Sequence, residues 1–393
     1  MYHYNFDNPP SRRGTNCFKW NVGENELPMW IADMDFETAP AIRAALQKRL
    51  DHGIFGYDDQ GEAWYEAYVG WWRDRHGLTL EKDWLIFSAG VVPSISSLVR
   101  KLTTPNENVL LQTPVYNIFF NSVVNNGARV LESPLRYDGT GYSIDFADLE
   151  QKLADPQTSL MILCNPHNPV GRIWTREELT RIGALCEKYH VTVISDEIHC
   201  DLTAPGRSYL PFAAADETCR DISITCVAPT KAFNIAGLHS SAVFAADPLL
   251  RHKAWRALNT DEVAEPNTFA APAAVAAFTE GGPWLDELRS YLWENRRWAE
   301  DFCRRELPML KLVPAEATYL VWVDVSALTG DVKDFTDRLR AETGLYVTPG
   351  TAYGAAGAGF FRWNIACPRS TLEDAAARLA RFVRSLTAET PNV

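Results

Sequence analysis

Six short apolar runs punctuate the middle of the chain: LIFSAG (85–90), ENVLLQT (107–113), LMILCNP (160–166), VTVISDE (191–197), ISITCVA (222–228) and SAVFAA (241–246). Several end in turn-forming or small residues. Runs of this kind read as strands buried on both faces of a sheet. Segments of helical period lie between several of them. In TREELTRIGALCEKYH (175–190), Thr175 is placed as N-cap, Glu178 as its capping-box partner, and residues 179, 182 and 185 put apolar side chains on one face. The Ala-rich FAAPAAVAAF (269–278) predicts a tightly packed helix. Strand and helix in alternation predict an α/β fold, with a mostly parallel sheet covered by helices on both faces.

The pattern changes beyond about residue 280. WLDELRSYLWENRRWAEDFCRREL (284–307) is a long amphipathic helix. Two strand-like runs follow, TYLVWVDV (318–325) and GFFRWNIA (359–366), with a helix between them (333–344) closed by Gly344. A last helix covers 371–386. This texture predicts a large domain over 51–280 and a smaller α+β domain made of 1–50 and 281–393; a chain of 393 residues is too long for one small core.

Composition narrows the function. Hydrophobic residues make up 46% and charged residues 22%, ordinary for a globular protein. The formal charge of −12, with no basic run, argues against nucleic acid as a partner. Eight scattered cysteines form no CxxC pair and no zinc-type Cys/His spacing, so no metal is expected and a reducing cytoplasm is. The N-terminus lacks an apolar signal-peptide core, and no apolar run reaches the roughly 18 to 20 residues that span a bilayer.

Candidate chemistry gathers where ligands of an open α/β sheet bind, beyond the carboxyl ends of the strands. Strand 85–90 ends in Ser-Ala-Gly and leads into Val91 and Val92, a phosphate-sized helix N-terminus. Strand 160–166 ends in NPHNPVG (165–171), a turn that aims Asn168. Strand 191–197 ends in SDEIHCD (195–201). There Asp196 stands at an apolar edge and needs a partner, and His199 reads as a structural histidine. Strand 222–228 leads into Thr230 and Lys231. Alone, each feature is equally well a turn, a cap or a core group. Together, a phosphate socket, a fixed amide, a buried acid and a lysine are what pyridoxal 5'-phosphate requires. A lysine is tolerated in so apolar a segment if its nitrogen is bonded to the cofactor's aldehyde carbon.

NPHNPVG, SDEIH, APTKAFNIAGL and RWNIACPR resemble the fold-type I pyridoxal phosphate enzymes of the class I/II aminotransferase group. Their separations, 28 residues from Asn168 to Asp196 and 35 from Asp196 to Lys231, agree with it. MWIADMDFETAP (29–40), GIFGY (53–57), SDEIHCDL and TPGTAYGAAGAGFFRWNIACPR (348–369) resemble its cystathionine β-lyase, or C–S β-lyase, branch, of the maltose-regulon modulator type.

The resemblance implies roles. Lys231 forms the internal aldimine and moves the Cα proton. Asp196 pairs with the pyridine nitrogen, Asn168 bonds the phenolic oxygen, and Tyr116 stacks on the ring. Val91, Val92 and Thr230 hold the phosphate, and His199 is counted with the cofactor-binding residues. Tyr57 reaches the phosphate of a neighbouring subunit, so the sites are shared across a homodimer. Arg362 clamps the substrate carboxylate, with Ala32, Asp33 and Asn168 beside it. The chain departs from many aminotransferases at His239, where they carry an arginine, and at Ala228-Pro-Thr230-Lys231, where they often carry Ser-x-Ser-Lys. The implied reaction is cleavage of L-cystathionine or a related S-substituted cysteine to a thiol, pyruvate and ammonia. The same residues would serve an aminotransferase, and members of the branch can also act by binding a transcription activator.

Overall fold

The computed structural model describes residues 2–389. All six apolar runs are strands of one seven-stranded sheet: β1 (Leu85–Ser88), β2 (Asn108–Leu111), β3 (Arg129–Glu132), β4 (Thr158–Cys164), β5 (Thr192–Asp196), β6 (Ser223–Val227) and β7 (Ser241–Phe244). The order across the sheet is β1-β7-β6-β5-β4-β2-β3. Neighbours from β6 to β3 pair in parallel, whereas β7 runs antiparallel to both β6 and β1. The reversal brings the start of β7, not its end, to the rim where β1, β2, β4, β5 and β6 finish.

Local chemistry sets the helix ends. The Arg176–Lys188 helix starts from a true capping box: Thr175 Oγ1 accepts from the Glu178 amide at 3.2 Å, and Glu178 accepts from the Thr175 amide at 2.8 Å. Such a box stabilises a helix start by about 1 kcal/mol. The Val332–Thr343 helix stops at Gly344, whose φ of 77° is left-handed. A Cβ there would also stand 2.4 Å from the Asn25 carbonyl, so glycine is required twice over. The helix Ala270–Glu280 presents alanines to the helices Pro40–His52 and Glu62–His76. Small residues let these backbones come close, and Trp64, Tyr68, Trp71 and Trp72 fill the space around them.

A second, four-stranded sheet contains β8 (Lys311–Leu312), β9 (Leu320–Asp324), β10 (Thr348–Pro349) and β11 (Phe360–Asn364), in the order β8-β9-β11-β10. The helices Val332–Thr343 and Arg369–Glu389 pack against it. The helix Gly282–Glu306 serves both cores: Trp284, Leu285 and Leu288 join the first, and Ala299 and Cys303 the second. The N-terminal stretch also divides. Leu27 and Met29 pack with the second core, whereas Met34, Phe36 and Ile42 pack with the first. The segment between them, 30–36, therefore bridges the two. All eight cysteines are free thiols. No helix among the described residues is long and apolar enough to cross a membrane.

Candidate active site

The rim of the large sheet encloses a cavity of about 170 Å³. Its wall includes Ala32, Val91, Val92, Tyr116, Asn168, Asp196, His199, Thr230 and Lys231, so the strand ends do converge. Arg362 reaches the same place from β11 and donates to Asn168 Oδ1 at 3.3 Å. Asp33 stands just outside, on an adjoining cavity shared with Arg12. Tyr57 does not join: it is fully exposed on this chain. A larger open groove of about 540 Å³, lined by Arg49, Asp58 and Thr268 among others, contains none of these groups.

Each position follows from the backbone beneath it. Val91 and Val92 begin the helix Val91–Leu102, so their amides belong to the first turn, which has no intrahelical acceptor. Ser94 Oγ ties that turn down, donating to the Gly90 carbonyl at 2.8 Å. Asn168 sits in a turn closed by Gly171, whose φ is 72° and where a Cβ would lie 2.4 Å from Ala315 Cβ. Asp196 ends β5, and its carboxylate accepts from the Ile198 amide at 3.1 Å. Next to it, buried Glu197 accepts from Ser195 Oγ and the Phe212 amide, both at 2.8 Å, and from the Tyr209 hydroxyl. Three donors satisfy that carboxylate and fix the turn that carries Asp196.

Burial dominates the electrostatics. It pushes the Asp196 carboxyl up to about 7, with the Ile198 amide and Lys231 as partial offsets. It pulls the Lys231 amine down to about 8; Asp33 and Asp196 oppose that fall and Arg362 adds to it. His199 is driven down to about 3 by burial, then by Lys231 and Arg362, so its ring is neutral near pH 7. Burial raises the Tyr116 phenol to about 12. Lys231 donates to the Ala32 carbonyl.

Several polar atoms here have no partner among the described residues. His199 Nδ1 and Arg362 Nε are both buried without one. Asp196 is a buried acid whose carboxyl is destabilised as an anion. Buried polar groups are normally paired, so these atoms are open to a polar ligand. An aromatic ring with a cationic nitrogen, an anionic tail and an aldehyde matches Asp196, the Val91–Val92 turn and Lys231 in turn. The residues present fit pyridoxal phosphate.

Sequence reasoning missed two asparagines. Asn364 donates to the carbonyls of Ile31 at 2.6 Å and Asp33 at 2.7 Å. Asn234 accepts from the Met34 amide at 3.0 Å and donates to the carbonyls of Met34 at 3.0 Å and Phe36 at 2.8 Å. The alternation in RWN was the available signal for the first, since residues two apart on a strand share a face. His239, noted only as a departure, lines the cavity because β7 is reversed. Trp20 and Trp30 lie outside the large core: Trp20 Nε1 donates to Asp35 at 2.8 Å, and Trp30 stacks on Tyr346.

Residues 19–379 match the family described as aminotransferase class I and II. The cystathionine beta-lyase PatB of Bacillus subtilis (strain 168) is 44% identical over 381 residues, 95% of this chain and 98% of that protein. Protein MalY of Escherichia coli (strain K12) is 32% identical, over 98% of this chain and all of that one. Among solved structures, cystalysin from Treponema denticola, which contains a pyridoxal 5'-phosphate cofactor, superposes with a TM-score of 0.94 at 33% identity; the match covers 98% of this chain and 99% of that chain. The chain belongs to the class I and II aminotransferase family, in its C–S β-lyase branch.

Proposed function

We propose that this chain is a pyridoxal phosphate-dependent C–S β-lyase that cleaves L-cystathionine or a related S-substituted cysteine to a thiol, pyruvate and ammonia. The observation that carries the reading is the convergence of Lys231, Asp196 and Asn168 on one small cavity, with Arg362 hydrogen-bonded to Asn168. When bound, the cofactor supplies an electron sink that acidifies the substrate Cα–H.

The chain's own residues do the rest. Lys231 Nζ would hold the cofactor's aldehyde carbon, and the same amine, when free, is the base placed to take the substrate Cα proton. An amine pulled down to about 8 is partly neutral near neutral pH and can act as that base. Asp196, whose buried carboxylate accepts from the Ile198 amide, would also hold a proton on the ring nitrogen. Asn168 Nδ2 is left to meet the phenolic oxygen, because its Oδ1 is engaged by Arg362. Tyr116 covers a ring face, neutral His199 lines the pocket wall, and Val91, Val92 and Thr230 meet the phosphate. Arg362 presents its planar fork to the substrate carboxylate, with Ala32 and Asp33 beside it. Loss of the β-thiolate leaves a fragment that water converts to pyruvate and ammonia.

The cofactor half lies in residues 51–280, and the carboxylate clamp draws on 1–50 and 281–393. Fully exposed Tyr57 follows exposed Ile54 and Phe55, an apolar surface suited to a second copy, where Tyr57 would reach the partner's phosphate. The reading places the homodimer in the cytoplasm. The test supplies L-cystathionine without a keto acid. Sustained release of pyruvate and free thiol supports the lyase; turnover that requires 2-oxoglutarate makes the chain an aminotransferase instead.

A further inference from the structure

The segment 30-WIADMDF-36 has no regular secondary structure, yet it touches both halves of the site. The Trp30 carbonyl accepts from Arg362 Nη2 at 2.9 Å and from Thr348 Oγ1 at 2.8 Å. The Ala32 carbonyl accepts from Lys231. Residues of the N-terminal twenty hold its other side. Arg12 donates to both oxygens of Asp33, at 2.7 and 3.1 Å, to the Met34 carbonyl at 2.9 Å and to Asp35 at 2.9 Å. Lys19, only 1% exposed, lies 2.8 Å from Asp35 and 3.6 Å from Asp33. A lysine so deeply buried needs an anionic partner, and Asp35 supplies it.

Nothing in the proposed reaction uses Arg12, Lys19 or Asp35. Asp33, however, faces two ways. On one side it is forked by Arg12 and approached by Lys19. On the other it directly follows Ala32, whose carbonyl accepts from Lys231, and at that position its charge favours the ammonium form of the lysine. The other charged or titratable groups that act on Lys231 are Asp196 and Arg362, with neutral His199 beside them.

We propose that Arg12 and Lys19 are positioning residues that act through Asp33 and Asp35, holding the 30–36 segment against Arg362 and Lys231, and that the Arg12–Asp33 pair sets the pH at which the Lys231 nitrogen loses its proton. The inference rests on the reading that Lys231 holds the cofactor. An unopposed Asp33 carboxylate stabilises positive charge at that nitrogen; Arg12, forked onto Asp33, cancels much of the effect. Removal of Arg12 and removal of the Asp33 charge therefore act in opposite directions, which loss of packing alone would not produce.

The experiment titrates the visible band of the bound cofactor against pH in the holoenzyme. In Arg12→Ala the midpoint moves to higher pH by roughly half to one unit, since both groups are partly solvent-screened. In Asp33→Asn it moves to lower pH. The double variant follows Asp33→Asn, and Arg12→Lys stays near wild type. Binding of glycine, read from the same band, weakens about tenfold in Arg12→Ala as Arg362 loses its fixed neighbour. Shifts of the same sign in Arg12→Ala and Asp33→Asn, or no shift in either, overturn the proposal. If Arg12→Ala does not fold, Asp33→Asn alone decides: a lower midpoint supports the proposal, and an unmoved or higher one overturns it. A wild-type protein with no visible band after cofactor saturation removes the reading of Lys231 and this inference with it. A normal band with unmoved midpoints removes this inference alone.

Discussion

The two halves of the site are built in different ways. On the cofactor side, Asp196 is the last residue of a strand, and Val91, Asn168 and Lys231 each stand a few residues beyond one, all in one sheet, so sheet pairing and buried cores fix their spacing. On the carboxylate side, Arg362 and Asn364 meet a segment without regular structure, through hydrogen bonds to Trp30 and Ile31 that span 332 and 333 residues of sequence. The first half is rigid by architecture. The second is held by side chains to backbone, and by the Arg12–Asp33–Lys19–Asp35 cluster behind it. Substitutions in the first half should abolish chemistry or cofactor binding. Those in the second should weaken substrate binding and leave the cofactor in place.

The sharpest break is Lys231→Ala. It should lower pyruvate release from L-cystathionine by about 10⁴-fold or more, because nucleophile and base are lost together, while circular dichroism stays that of the wild type. Next comes Asp196→Asn, with a loss of about 10²-fold or more in turnover and a weaker hold on the cofactor, read by titration of the apoprotein.

The same substitution has a pH signature. The Asp196 carboxyl titrates near 7 in the fold against about 3.8 when unfolded. Without cofactor, its contribution to stability is full below the unfolded value and is lost as pH rises through about 7. The gain in apoprotein melting temperature of Asp196→Asn over wild type should therefore grow between pH 4 and pH 7. A difference that stays flat across that range would contradict a buried carboxylate destabilised as an anion.

Arg362→Lys should raise KM for L-cystathionine by about tenfold to a hundredfold, since a point charge replaces a planar fork, with cofactor affinity within about twofold of wild type. A fall in cofactor affinity as large as that in KM would erase the distinction between the halves. The smallest effect expected is that of Tyr57→Phe, less than about tenfold on cofactor affinity, the scale of one hydrogen bond. It should appear at concentrations where the protein is dimeric and vanish where sedimentation shows monomer.

Much of this was legible because it is local. The six apolar runs became strands, the Thr175–Glu178 box and Gly344 set helix ends, and the separations of Asn168, Asp196 and Lys231 reflect one strand-helix unit after another. Periodicity and capping act within a few residues, so sequence by itself determined the elements and the candidates at their ends. It carried no mark of the reversed β7, which delivers His239 to the rim, nor of the Asn364 and Asn234 tethers. The burial that leaves His199 Nδ1 and Arg362 Nε unpartnered, and that moves Asp196 and Lys231 toward neutrality, also came only with the tertiary structure. Desolvation and hydrogen bonding depend on which distant residues close over a group, and only folding brings those residues together.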